Sequence, residues 1–275
     1  MKVLSLDGVW KLRGKQETKN GEVIALDGSV PGCVQLDLSR EGYLPRDLYM
    51  GMNVTETEKF ENYEWWYERK FECEYEKNVY LVFEGVDCIA EYFLNEYKIG
   101  ESENMFISHE FRIDEYLVKG ENTLTVHIKS ATLAARNYDY PLKVLGASHS
   151  AEAKFIRKPP HSYGWDIMPR AVSAGLWRSV RIEERDDIYF KQKFVHAPGW
   201  SCSFYYELHS EITDISGMEI EICGSCGDST FYHRVRASQP FGFFRFTVKN
   251  PKFWFPYGYG EANVYDAFSK IYLDG

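Results

Sequence analysis

The sequence is short of basic side chains and of long apolar runs, and each shortage excludes a class of function. Lys and Arg total 32 against 41 Asp and Glu, which gives a formal net charge of −9. Nucleic-acid binding needs a basic surface, because counterion release from the phosphates drives it. No segment approaches the roughly 18–20 apolar residues of a membrane helix. We therefore expect no nucleic-acid partner and no membrane partner.

Cysteine is also sparse, with six residues scattered over 275. Small secreted scaffolds crowd their cysteines into disulfide frameworks, and this chain does not. Cys223 and Cys226 have the spacing of half a zinc site or a redox pair. A second such pair and a nearby His pair are missing, so we expect a strand and turn there, with no metal and no cofactor. The apolar run at residues 1–6 is too short for a secretory signal, and a cytoplasmic location is expected.

Helical periodicity is rare, whereas alternation of apolar and polar residues recurs along the chain. It is clear at residues 124–129, 218–222 and 244–249, and it predicts strands with one buried face. Val79–Phe83 is apolar nearly throughout, as in a strand covered on both sides. A single short helix is predicted at Val34–Arg40, before Gly42 and Pro45. These patterns predict an all-β fold of sandwiches.

Aromatic residues make up 16% of the chain, and large aromatics dominate sandwich cores. We expect Trp10, Trp66 and Trp177 to fill the core. Turns are predicted at four Gly-containing sites: residues 7–8, 27–28, 119–122 and 224–225.

The length of the chain predicts one large or two smaller domains, and the order of strands and charged residues favours two. The first, residues 1–185, is expected to close with a strand at 177–183. The charged stretch 183–187 is interpreted as a junction, since it suits neither core. The second domain, residues 186–275, has the size of one immunoglobulin-like β-sandwich of roughly 100 residues.

Short strings along nearly the whole chain resemble, in order, the amino-terminal region of family 2 glycoside hydrolases, and of the β-mannosidases in particular. In the first domain the strings are residues 6–10, 30–34, 42–45, 63–67, 83–87, 104–106, 120–122, 164–166 and 174–178. In the second they are residues 250–256 and 258–260. The resemblance implies a jelly-roll (galactose-binding-like) β-sandwich followed by an immunoglobulin-like one. It also implies a parent retaining exo-β-glycosidase with a (β/α)₈ catalytic barrel after the two sandwiches.

The resemblance also implies that loops of the first sandwich reach the sugar site of that barrel, through Asn104 and Asp166. A carboxylate accepts two hydroxyl hydrogen bonds, and an amide offers both donor and acceptor. Trp165 could stack on the apolar face of a sugar. The alternative for Asp166 is a purely local role as a turn former. His161, Arg157 and Lys158 could line the same loop.

The sequence departs from the β-mannosidase pattern after Asp166. The pattern continues with Trp-Gly-Pro, whereas this chain has Ile167, Met168 and Pro169. The loss of the second Trp removes a stacking surface, so a β-galactosidase or β-glucuronidase relative stays open.

Nothing in the 275 residues predicts a catalytic centre. Retaining glycosidases need two carboxylic acids roughly 5–5.5 Å apart, and the strand–helix alternation of a barrel is absent from the sequence. Asn95 and Glu96 mimic the Asn-Glu acid/base pair of the family, but they sit where relatives carry an Asn-Gly hairpin turn. A solvated turn tip would not raise a carboxyl pKa toward the catalytic range.

Three functions remain open at this stage. The first is the non-catalytic part of a glycosidase, with the catalytic barrel and a terminal β-linked sugar as partners. The second is a stand-alone carbohydrate-binding module with at best millimolar affinity, on the order of −4 kcal/mol. The third is an interaction scaffold whose apolar patches drive self-association into a homo-oligomer.

Overall fold

The computed structural model describes residues 2–17, 21–141 and 151–273. The chain divides into two compact units, Met1–Glu184 and Arg185–Gly275. Both units are built from β-strands, and every pairing between the described strands is antiparallel. The prediction of an all-β fold is confirmed. No helix among the described residues is long and apolar enough to cross a membrane.

The first unit is a sandwich of two antiparallel sheets. Its strands are β1 (Lys2–Ser5), β2 (Gly8–Gln16), β3 (Val23–Val30), β4 (Tyr63–Glu72), β5 (Val79–Phe83), β6 (Ala90–Leu94), β7 (Tyr97–Ser102), β8 (His109–Arg112), β9 (Glu121–Ile128) and β10 (Val180–Glu184). The strand order is β1-β10-β5-β8 in one sheet and β3-β2-β4-β9-β6-β7 in the other. The described residues of this unit also contain two α-helices, α1 (Val34–Arg40), as predicted, and α2 (Ala131–Ala135).

The core of the first unit takes its aromatic residues from alternate positions of each strand. In β4, Tyr63, Trp65 and Tyr67 are buried, because side chains two residues apart share one face of a strand. Trp66 is half-buried on the opposite face and stacks on His127, with ring centroids 4.3 Å apart. The prediction that Trp66 fills the core is therefore wrong, and the neighbouring Trp65 takes that place.

Gly28 and Gly224, both predicted to lie in turns, lie in the interior of strands. A Cβ on Gly28 in β3 would lie 3.1 Å from the ring of Tyr67. A Cβ on Gly224 would lie 2.7 Å from the ring of Phe231. These glycines leave room for a neighbouring aromatic ring, which is a common role of Gly inside a strand. The turn predictions at residues 27–28 and 224–225 are wrong for that reason.

The second unit is also a two-sheet sandwich. Its strands are β11 (Ile188–His196), β12 (Ser201–Ser210), β13 (Glu219–Cys226), β14 (Ser229–Arg236), β15 (Phe241–Thr247) and β16 (Asp266–Tyr272). The sheet orders are β11-β12-β15 and β14-β13-β16. Phe204 and Phe246 from one sheet meet Ile220 and Ile222 from the other in one apolar core.

The charged stretch 183–187 is only partly the junction that the sequence predicts. Glu183 lies in β10 and is buried, and it accepts a hydrogen bond of 2.6 Å from Nε of Arg181. Strand pairing therefore continues to Glu184, where the first unit ends.

Cys223 and Cys226 both lie in β13, and both are free thiols. In the described part of the chain, no group of three or more His, Cys, Asp or Glu side chains is placed to hold a metal ion.

Candidate functional site

Asn104 lies in the loop between β7 and β8, where its own side chain shapes the backbone. Its Oδ1 accepts a hydrogen bond of 3.0 Å from the backbone N–H of Phe106. Nε2 of His109 lies 2.7 Å from the carbonyl oxygen of Asn104 and donates to it. Asn104 is half-buried. The loop therefore holds the amide in one orientation.

Trp165 and Asp166 belong to a tight two-residue turn. Trp165 and Met168 exchange both backbone hydrogen bonds, with N···O distances of 2.9 and 3.0 Å, so Asp166 and Ile167 form the tip. Asp166 is exposed, and Trp165 is 59% exposed. Gly164 leads into this turn at φ +94° and ψ 142°, a backbone conformation nearly reserved for glycine.

The two loops rest on one small apolar cluster, which we call the loop platform. It consists of the buried residues Cys88, Met105, Ala131, Ala135, Ile156, Tyr163 and Val172. Met105 follows Asn104 directly, and Tyr163 lies two residues before Trp165. Trp177 is half-buried against this platform, so the prediction that it fills the main core is wrong.

A backbone hydrogen bond also ties the Asn104 loop to the segment that leads to Asp166. The N–H of Met105 donates to the carbonyl oxygen of Arg157 over 3.2 Å, and Asn104 and Arg157 form a parallel bridge. The structure therefore supports both loops that carry the three sequence-predicted residues Asn104, Trp165 and Asp166 on shared packing.

A buried ion pair also holds the segment that leads to Asp166. The Lys158 side chain is fully buried, and its Nζ contacts both carboxylate oxygens of Asp87, with Oδ1 at 2.5 Å. Nζ also donates to the carbonyl and hydroxyl oxygens of Ser173, at 2.8 and 2.9 Å. Lys158 is thus not on the loop surface, contrary to the sequence prediction, whereas Arg157 and His161 are exposed.

A second charged contact holds the far end of the segment. Arg170 donates to both carboxylate oxygens of Glu61, over 2.8 and 2.6 Å, and to Glu152 over 2.7 Å. Its guanidinium lies 5.6 Å from the ring centroid of Tyr163. Burial raises the pKa of the Tyr163 hydroxyl well above its ordinary value. The phenol therefore stays neutral inside the platform.

Sequence reasoning missed both charged contacts, because their partners lie far apart along the chain. Asp87 and Lys158 are 71 residues apart, and Glu61 and Arg170 are 109 apart. An isolated charged residue usually indicates a solvated surface. The one signal in the sequence is the position of Lys158, which lies two residues after Ile156 and directly before two prolines.

Asn95 and Glu96 form the tip of the β6–β7 hairpin, as the sequence predicts. Both have positive φ, 50° and 72°, as a two-residue hairpin turn of type I′ requires. Nδ2 of Asn95 donates to the carbonyl oxygen of Tyr116 and to Oδ1 of Asn122, each over 2.8 Å. The φ angles and these hydrogen bonds place both residues in the turn.

The comparisons with known proteins agree on one family. The model of the glycosyl hydrolase 2 galactose-binding domain-like family matches residues 10–178. β-Mannosidase B of Emericella nidulans is 29% identical over 257 residues, which cover 86% of this chain and 30% of that protein. The β-mannosidase of Rattus norvegicus is 26% identical, over 97% of this chain and 33% of that protein.

Solved structures extend the likeness to both units. The crystal structure of β-D-mannosidase from Dictyoglomus thermophilum matches 99% of this chain and 34% of that chain, with a TM-score of 0.78 and 31% identity. A β-D-glucuronidase from the same organism, at 17% identity and a TM-score of 0.54, shares the fold alone. The chain spans about a third of the length of the curated relatives that it matches. It belongs to the glycosyl hydrolase 2 galactose-binding domain-like family and is similar to the amino-terminal region of β-mannosidases.

Proposed function

We propose that this chain is the non-catalytic part of a retaining exo-β-glycosidase of the β-mannosidase type. Its loops would complete the terminal-sugar pocket of a (β/α)₈ catalytic domain in the same polypeptide. The observation that carries the proposal is the common support of the Asn104 loop and the Trp165–Asp166 turn on the loop platform. A pocket wall made by a separate domain must be rigid, because small misplacements of a substrate contact cost much of the rate.

The exposed groups of the two loops suit a neutral, hydroxyl-rich ligand. The Asp166 carboxylate at the turn tip can accept hydrogen bonds from two adjacent sugar hydroxyls. The Asn104 amide supplies donors beside an oxygen that is already fixed by Phe106. The Trp165 ring is exposed and can pack against the apolar face of a sugar. Together the three side chains bind and orient, and the carboxylate pair for bond cleavage would come from the catalytic domain.

The second unit fits the role of a spacer in this proposal. We assign it as an immunoglobulin-like domain, supported by its two packed three-stranded antiparallel sheets. It would set the position of the catalytic domain relative to the first unit. We also propose a cytoplasmic location for the enzyme, as the sequence predicts.

The test uses the complete enzyme and substitutions at the turn tip. We expect Asp166→Ala to lower kcat/KM for an aryl β-mannoside by about ten- to a hundredfold, since hydrogen bonds to a charged group contribute roughly 1.5–3 kcal/mol. Asp166→Asn should also lower kcat/KM, but by less than Asp166→Ala does. Ile167→Ala is the matched control, because Ile167 occupies the same tip and is 82% exposed.

Two results would count against the proposal. An Asp166→Ala enzyme with unchanged kcat/KM and unchanged thermal stability would limit Asp166 to turn formation. An equal loss in the Ile167→Ala enzyme would show that the turn itself, and not the carboxylate, matters for turnover.

A further inference from the structure

Residues 253–260 of the second unit form a loop that we call the aromatic hairpin. Five of its eight residues are aromatic: Phe253, Trp254, Phe255, Tyr257 and Tyr259. All five are exposed, Tyr257 fully, at 103%, and Tyr259 at 82%. Single exposed aromatics are ordinary on protein surfaces, but contiguous apolar patches mark interaction sites.

The aromatic hairpin is held by its own hydrogen bonds. The N–H of Phe255 donates to the carbonyl oxygen of Glu261 over 2.9 Å, and the N–H of Tyr259 donates to that of Pro256 over 3.0 Å. Nδ2 of Asn263 donates to the carbonyl oxygen of Phe253 over 3.0 Å. The backbone is therefore fixed before any partner arrives, which lowers the entropic cost of binding.

The aromatic hairpin also lacks charge. None of its eight residues is Asp, Glu, Lys or Arg, although such residues make up 27% of the chain. Enrichment in Tyr, Trp and Phe with depletion of charge is the composition of the buried centre of a protein–protein interface. The composition alone therefore indicates a protein partner.

We infer that the aromatic hairpin is the docking surface of the second unit for a further domain of the same polypeptide. This rests on the proposed function, which supplies such a domain. The relatives are about three times as long as this chain, since it covers 30–34% of each. A permanent contact within one polypeptide tolerates a more apolar surface than a transient one does.

The other occupants fit the hairpin less well. A sugar site needs polar groups that fix the hydroxyls, and the side chains of the hairpin offer two tyrosine hydroxyls and one indole N–H but no amide or charged group. A second copy would bring together two chains of net charge −9 each, and that repulsion opposes self-association.

Hydroxyl-radical footprinting of the complete wild-type enzyme, read by mass spectrometry, tests the inference. Tyr97 in the first unit is the internal reference, because it is 65% exposed here. We expect Tyr257 and Tyr259 to be labelled more slowly than Tyr97, which reverses the order of their exposed fractions. Labelling of Tyr257 at or above the rate of Tyr97 would overturn the inference. So would protection that disappears on dilution, or that appears only when a glycan is added.

A variant adds a functional readout. In the complete enzyme, Trp254→Ser/Tyr257→Ser should lower the thermal midpoint and restore labelling of Tyr259, whereas Tyr97→Ser should do neither. No change in either readout would overturn the inference. These results are independent of the Asp166 kinetics, so a failed docking surface and a failed sugar contact can be told apart.

Discussion

Removing the Asp87 carboxylate would leave the Lys158 ammonium buried with Ser173 as its remaining polar partner. The Lys158 side chain is 0% exposed and that of Asp87 is 4% exposed. At the 2.5 Å between Nζ and Oδ1, Coulomb's law gives about 7 kcal/mol at an effective dielectric constant of about 20. Much of this attraction offsets the desolvation of two charges. Breaking a buried pair from one side costs about 3–5 kcal/mol, and we expect Asp87→Ala to lower the free energy of unfolding by that amount.

Urea unfolding, followed by tryptophan fluorescence, measures the effect. Asp27→Ala is the matched control, because Asp27 pairs with Lys11 at 2.8 Å while both side chains are largely exposed. Exposed pairs contribute about 0–1 kcal/mol, so the control should change little. The double variant Asp87→Leu/Lys158→Met removes both charges together. It should cost less than Asp87→Ala, since no uncompensated charge remains inside.

Two outcomes would refute this reasoning. If Asp87→Ala costs no more than Asp27→Ala, the pair contributes nothing beyond a surface contact. If the double variant loses as much free energy of unfolding as the single variants Asp87→Leu and Lys158→Met lose in sum, the two side chains act independently. The segment that carries Asp166 must then be held by other contacts.

Two further predictions concern the backbone and the pH dependence of stability. Gly164→Ala should destabilise the protein by about 1–3 kcal/mol, because its positive φ strains any other residue; Gly199→Ala, where a Cβ meets open space, should be neutral in the same urea assay. The hydrogen bond from Lys98, then contacts with Lys129, lower the pKa of Glu91 from 4.5 to about 2. A depressed carboxyl pKa adds stability that is present above pH 4.5 and is lost as the pH falls toward 2. Glu91→Gln should therefore flatten the fall of the thermal midpoint with pH across that range. A thermal midpoint that falls as steeply in Glu91→Gln as in the wild type would contradict this prediction.

Strands and the one predicted helix could be read from the sequence because their period is local. Alternation at residues 124–129 corresponds to β9, and Val34–Arg40 is helical as predicted. The face that a strand buries is harder to predict where both neighbours are aromatic. Trp65 and Trp66 are adjacent, and only the pairing of β4 with β2 and β9 decides which of them points inward.

One part of the candidate site could also be predicted from the local sequence, and another part could not. The turn at Trp165 and Asp166 follows directly after Gly164 and has Asp166 at its tip. Gly and Asp are common turn residues, so the sequence could indicate this turn. The platform beneath it depends on Asp87 and Lys158, which only the folded chain brings together. Burial of a lysine is rare enough that sequence patterns favour the surface.

A structure of the full-length protein with a terminal-sugar inhibitor in the proposed catalytic pocket tests the central claim most directly. The account predicts a carboxylate oxygen of Asp166 within hydrogen-bond distance, roughly 2.5–3.2 Å, of a hydroxyl of that sugar. It would be contradicted by an Asp166 side chain that faces solvent while the occupied pocket is closed by other residues.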